Sequence, residues 1–194
     1  MVNIKPARLG TFFALLTILY AFSMGAGMGL FEKEAKKFLS DEALAVKDTV
    51  YAVKDAKAET QPDGAKKTDP AKFDEKKFEE VTDKAWKYVK RSHEHAAGLG
   101  AISLAICLML GIISRCGFCK FLGSLCLGLG ALGYAVFWAL AAWKAPSLGS
   151  TGAAKEMFIY IAQPSAGLCL FGLLLAFMAF FKACCGSGCT VEHQ

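Results

Sequence analysis

The chain has 194 residues, of which 55% are hydrophobic and only 20% are charged, a composition too apolar for an ordinary soluble domain of this size. Its formal charge of +5 arises outside residues 32–95, because that segment holds 15 Lys and Arg against 15 Asp and Glu. The remaining basic residues flank apolar stretches, as they do in membrane proteins. The basic balance therefore does not indicate nucleic-acid binding.

Four apolar stretches without a charged residue follow one another along the chain, at residues 9–30, 96–114, 121–143 and 157–181. Each has about 19–25 residues, enough for a helix that crosses a hydrocarbon core of about 30 Å. The sequence therefore predicts an all-α fold, a bundle of four transmembrane helices with a helical hairpin outside the membrane between helices 1 and 2. The corresponding segments are residues 1–31, 32–95 and 96–194.

The first stretch follows a basic start and ends in small residues, so it also resembles a secretory signal peptide. Its apolar run continues through residues 25–30 to full spanning length, and we therefore expect an uncleaved anchor.

Small residues recur at helical spacing in the first and third stretches. Such faces let membrane helices approach closely, within one chain or between chains, and the spacing alone does not choose between these two uses. The candidate helix-packing residues are Ser23, Gly25, Gly27, Gly29, Ser124 and Gly128.

Residues 32–95 contain two runs whose apolar positions follow helical spacing, separated by a break that contains Pro62, Gly64 and Pro70. This pattern predicts two helices joined by a turn, the second of which continues into the second crossing. Asp69 before Pro70 is typical of a helix start. Ser150 or Thr151 is expected to cap the fourth transmembrane helix.

The basic residues of the short connections predict that both termini lie in the cytoplasm, which places the hairpin outside. With this orientation the inner side holds five cations and the short outer loop holds two. The inner ones are Lys5, Arg8, Arg115, Lys120 and Lys182, and the outer ones are Lys144 and Lys155.

Two histidines, His93 and His95, stand where the second crossing begins. Neutral imidazole binds copper, zinc and haem iron, so both are candidate ligands of haem or a transition metal. Positions two residues apart are about 200° apart around a helix, and the two rings therefore cannot face one metal from a regular helix. The alternative is that these polar residues simply end a charged loop.

Five cysteines gather at the predicted inner ends of helices 2 to 4, two of them in a C-x-x-C pair expected to form a tight turn. Thiolates bind zinc or iron–sulfur clusters, juxtamembrane cysteines are also lipidated, and unmodified thiols are the third alternative. Because the hairpin contains no cysteine, a disulfide framework is not predicted. The five are Cys116, Cys119, Cys184, Cys185 and Cys189.

The sequence contains none of the common catalytic motifs, such as a nucleophile elbow, a Walker loop or a zinc-protease helix. The crossings contain no Asp, Glu, Lys or Arg, which weakens the case for an ion pump or a proton relay. We therefore expect a non-enzymatic membrane subunit that binds other membrane proteins or a second copy of itself. The alternative is a membrane redox subunit that carries haem or a metal.

Two parts of the chain, SHEHAAGLGAISL and LGALGYAVFWALAAWKAPSLGSTGAAKE leading to PSAGLCLFGLLL, resemble a group of uncharacterised bacterial membrane proteins. That group has four transmembrane helices and a His-x-His at the start of the second. The resemblance covers about half of the chain. It implies a location in the bacterial inner membrane and transfers no activity.

Overall fold

The computed structural model describes residues 7–50, 74–113 and 117–185, and within these ranges every regular element is a helix. The all-α prediction is thus confirmed for the described part of the chain. In chain order the helices are α1 (Arg8–Leu30), α2 (Glu32–Leu44), α3 (Lys47–Val50), α4 (Glu75–Ile113), α5 (Gly117–Leu148), α6 (Thr151–Met157) and α7 (Ile159–Cys185).

Four of these helices, α1, α4, α5 and α7, are long and apolar enough to cross a membrane. This confirms the predicted number of helices that could span a membrane, and their apolar character suggests a membrane protein. Two boundaries differ from the prediction. α5 begins at Gly117, so the C-x-x-C pair does not lie wholly in a tight turn. The fourth apolar stretch is divided between α6 and α7, because the helix is interrupted at Phe158.

α4 is a single helix of 39 residues, about 58 Å long at 1.5 Å per residue. This is nearly twice the thickness of a hydrocarbon core. The expected boundary between the hairpin and the second crossing, at residue 95, lies inside this continuous helix. Its first half is charged and its second half is apolar. Asp74 accepts a hydrogen bond from the backbone N–H of Lys77 at 2.9 Å and caps the start of α4, whereas Asp69 and Pro70 lie outside the described residues.

α5 is the central helix. Half of its apolar window is buried, against 22% in both α1 and α7, and it packs against α1, α4 and α7. Glycines allow the close contact with α7. A Cβ atom at Gly130 would lie 2.7 Å from the carbonyl oxygen of Ser165, and one at Gly172 would lie 2.9 Å from that of Gly123.

A hydrophobic cluster lies where α2 and the first half of α4 meet α6 and the end of α5. Lys77 links α4 to α3 through a hydrogen bond of 2.9 Å from its Nζ to the carbonyl oxygen of Val50. Ser150 accepts a hydrogen bond from Ala153 N at 3.2 Å. This confirms that Ser150 is a helix cap, but the helix it caps is the short α6 and not the fourth long helix, α7, as predicted. The buried members of the cluster are Leu39, Ala43, Val81, Ala85, Trp86, Ala145 and Ala154.

Gly149, between α5 and α6, has a φ of 58°, a left-handed conformation that side chains disfavour. Its position is also close to α3, because a Cβ atom there would lie 2.1 Å from Cγ1 of Val50. The turn after α5 thus requires glycine for two independent reasons. It fixes the junction between α5 and α6 against α3.

Candidate functional site

Ser92 is completely buried and joins three helices at the level where the apolar part of α4 begins. Its Oγ lies 2.8 Å from the carbonyl oxygen of Ala135 in α5 and 2.7 Å from the hydroxyl of Tyr20 in α1. A serine hydroxyl has one proton and a carbonyl can only accept. Ser92 therefore donates to Ala135 and accepts from Tyr20, and the two bonds form one chain from α1 through α4 to α5.

His93 makes a second link between α4 and α1. Its Nδ1 lies 2.8 Å from the carbonyl oxygen of Ala21. Since this oxygen can only accept, Nδ1 carries the proton, and in the neutral ring Nε2 is the unprotonated nitrogen. The imidazole ring of His93 packs against Gly25, where a Cβ atom would lie 2.8 Å from Cε1 of the ring. Two residues singled out separately in the sequence, His93 and Gly25, are thus in contact.

His95 lies in a different environment, against α5. Its ring stacks on Trp138 with the centroids 5.8 Å apart and meets the ring of Tyr134 edge-on at 5.1 Å. The guanidinium carbon of Arg91 lies 5.2 Å from the ring centroid of Trp138, a cation–π arrangement. The two histidines therefore pack against different helices, as their separation of about 200° around α4 requires.

The described residues contain no group of three or more His, Cys, Asp or Glu side chains placed to hold a metal ion. Of the five clustered cysteines, Cys119 lies in the first turn of α5 and is partly exposed. Cys116 and Cys189 lie outside the described ranges, and so do the side chains of Cys184 and Cys185. A thiol-bound metal therefore stays a prediction, to which these ranges add no support.

The small residues of α5 face α1. A Cβ atom at Gly10 would lie 2.1 Å from the carbonyl carbon of Ser124, and one at Gly128 would lie 2.5 Å from the carbonyl oxygen of Gly10. Real Cβ atoms do not approach other atoms this closely. The two backbones can therefore meet here only because both positions are glycine.

The small residues at the end of α1 are placed differently. A Cβ atom at Gly27 or Gly29 would have no heavy atom within 4 Å. Ser23 is exposed, and its hydroxyl donates to the carbonyl oxygen of Leu19 within α1 at 2.9 Å. Gly27, on the same side of α1 as Ser23, and Gly29, on nearly the opposite side, are therefore not covered by another helix in the described structure.

Sequence reasoning missed the row of α1 that packs against α4 and α5. Its buried residues are Gly10, Ala14, Thr17 and Ala21. Their spacing of three and four residues is a helical stripe of small side chains, so the signal was present. The roles of Tyr20 and Ser92 left no such signal, because the two residues are 72 positions apart.

In comparisons with known proteins, no family model, no curated protein and no solved structure matches this chain. The resemblance to bacterial four-helix membrane proteins therefore stays a prediction. What the chain does must be argued from its own faces and contacts.

Proposed function

We propose that the protein is a non-enzymatic integral membrane subunit, a bundle of four transmembrane helices with a helical hairpin outside the membrane. Its role is to hold other membrane proteins, or a second copy of itself, through the uncovered end of α1. The four long apolar helices support the lipid environment. The polar contacts between α1, α4 and α5 support a structural role for this junction, because each of them links one helix to another.

The observation that carries the proposal is the uncovered side of α1 at Ser23 and Gly27, which lie four residues apart on one face of the helix. The glycines of α5 meet a neighbouring helix of the same chain, whereas Gly27 and Gly29 meet none in the described structure. Small residues at spacing four promote close contact between helices in lipid. Leu30, about 60° from Gly27 around α1, flanks this side and is 75% exposed. A second transmembrane helix is the occupant that fits.

Photo-crosslinking in native membranes tests this proposal. A photoreactive residue at Leu30 should yield a crosslinked complex, and Gly27→Leu should abolish that product while leaving the protein folded. Gly167→Leu is the matched control, since Gly167 in α7 is also exposed and has no atom near its Cβ position. A chain that is monomeric in its membrane and gives no crosslinked product would contradict the proposal.

The proposed location is the bacterial inner membrane with both termini in the cytoplasm. The basic residues of the short connections support this orientation. Lys120 counts for less in this argument, because it also has a structural role. It is buried, and its Nζ donates to the carbonyl oxygen of Gly111 in the last turn of α4 at 2.8 Å, where a cation stabilises the helix end. Reporter fusions at the C-terminus and at residue 60 should report opposite sides of the membrane.

A haem- or metal-binding redox subunit is the alternative, and it has less support. The Nδ1–H of His93 donates a hydrogen bond to the backbone carbonyl of Ala21, as ring N–H groups of metal-ligating histidines often do. No further ligand in the described ranges completes a site. Metal analysis and an absorption spectrum of the purified protein would reveal a cofactor, and its loss in His93→Ala would favour this alternative over the scaffold.

A further inference from the structure

An apolar groove opens between the end of α1, α2, the first half of α4 and the end of α5. Its volume is about 390 Å³, within the range of sites that hold small ligands. The groove is lined by Met24, Ala35, Phe38, Leu39, Trp86, Val89, Ala139, Ala142 and Trp143. Every one of these residues is apolar, so the groove suits a hydrocarbon chain and offers nothing to orient a polar substrate.

The groove lies at the depth where the apolar stretches of α1 and α5 end. Trp86 belongs to the same hydrophobic cluster as Met28, near the end of α1, and Ala145, near the end of α5. Trp143 is 46% exposed beside it, as a tryptophan at a membrane boundary is expected to be. Bilayer lipids therefore have direct access to the groove from the side.

Cations surround the mouth of the groove. The Nζ atoms of Lys36 and Lys90 lie 5.4 Å and 6.0 Å from the ring centroid of Trp86, and that of Lys144 lies 4.5 Å from the ring centroid of Trp143. One carboxylate accompanies them, because Glu32 pairs with Lys36 at 2.6 Å. Three lysines and one glutamate leave a net positive charge next to the apolar groove. Cations beside an apolar surface are the combination that binds an anionic lipid headgroup.

We propose that this groove binds an anionic phospholipid of the surrounding membrane. One acyl chain lies in the groove against Trp86, and the phosphate of the headgroup lies among Lys36, Lys90 and Lys144. The site is separate from the uncovered face of α1 at Gly27 and does not depend on the proposed scaffold role.

Fluorescence quenching by brominated lipid tests the proposal directly. The chain has three tryptophans, so Trp138→Phe with Trp143→Phe leaves Trp86 as the only one. Trp86 is 7% exposed and lines the groove, so a bromine on an acyl chain inside the groove would lie against its ring. In vesicles of phosphatidylcholine with a minor fraction of brominated phosphatidylglycerol, we expect strong quenching. The same fraction of brominated phosphatidylcholine should quench much less.

Two sets of substitutions separate the acyl chain from the headgroup. In this single-tryptophan background, Ala139→Leu fills the groove and should remove the quenching, whereas Ala101→Leu on the exposed face of α4 should not. Replacement of one of the three lysines with Gln should reduce the preference for phosphatidylglycerol by about fivefold. Lys37→Gln and Lys76→Gln, outside the groove lining, remove the same charge and should leave the preference unchanged.

Equal quenching of Trp86 by the two brominated lipids would overturn the recognition of an anionic headgroup. Absence of quenching by either lipid in the parent single-tryptophan protein would overturn the binding of lipid altogether, and a crosslink from Phe38 to a protein would then identify the occupant as a polypeptide. Neither result would affect the test of the Gly27 face.

Discussion

α1 and α5 both contain many small residues, but they use them in different ways. In α5, positions such as Gly128 and Gly130 each meet the backbone of a neighbouring helix at a distance that no Cβ atom would tolerate. In α1, Gly10 does the same and Gly25 seats an imidazole ring, yet Gly27 and Gly29 have open space beside them. Glycine thus allows close packing against a neighbouring helix at the start of α1, whereas Gly27 and Gly29 at the end of α1 are left uncovered.

The comparison shows that a small-residue motif in a membrane helix defines a capacity for close contact, not its partner. What decides the partner is the position of the motif relative to the central helix. α5 contacts α1, α4 and α7 and has half of its apolar window buried, so its motifs are used within the chain. At the end of α1, Met24 and Met28 still lie beside α5, whereas Gly27 has no heavy atom near its Cβ position in the described structure.

The largest expected effect is that of Gly128→Leu. The new side chain would start 2.5 Å from the carbonyl oxygen of Gly10, so α1 and α5 must separate. We expect a loss of about 3 kcal/mol in the free energy of unfolding, measured by reversible denaturation in mixed micelles. Gly29→Leu, at an open position of α1, should change this free energy by no more than about 0.5 kcal/mol. Similar losses for the two variants would remove the distinction between the ends of α1.

Ser92→Ala should have the next largest effect. It leaves the partly buried hydroxyl of Tyr20 without its acceptor, at a cost of about 1–3 kcal/mol. Tyr20→Phe removes a donor but lets Ser92 keep its bond to Ala135, so it should cost about 1 kcal/mol. In a double-mutant cycle the two substitutions should couple by at least about 0.5 kcal/mol. Strictly additive losses would show that the hydrogen bond between α1 and α4 does not form.

The smallest effect is expected at His93, where the two amide substitutions should differ. The side-chain nitrogen of asparagine is the same number of bonds from the backbone as Nδ1, so His93→Asn can still donate to Ala21. His93→Gln places its nitrogen one bond farther out and should cost about 1 kcal/mol more. Nitrogen NMR of the wild-type ring should show the proton on Nδ1. A proton on Nε2, or equal losses for the two variants, would contradict this arrangement.

The four apolar helices could be predicted because each signal is local: an uncharged run of sufficient length is enough to define a possible crossing. The cap of α6 at Ser150 was equally local. The contacts of the junction could not be predicted in the same way. Which glycine of α1 faces Ser124, and which side of α4 turns His93 towards Ala21, depends on how helices rotate about their axes. That rotation is set by packing between segments about 70 residues or more apart along the chain.

The unbroken length of α4 has a mechanical consequence. Its 39 residues form one rod, and near the middle Ser92 is hydrogen-bonded to both adjacent helices, which makes it a natural fulcrum. A tilt of about 10° around that point would move the Glu75 end by about 4 Å and the Ile113 end by about 5 Å in the opposite direction. A tilt of α4 about Ser92 would therefore displace its charged end and its apolar end in opposite directions without any rearrangement of the helix itself.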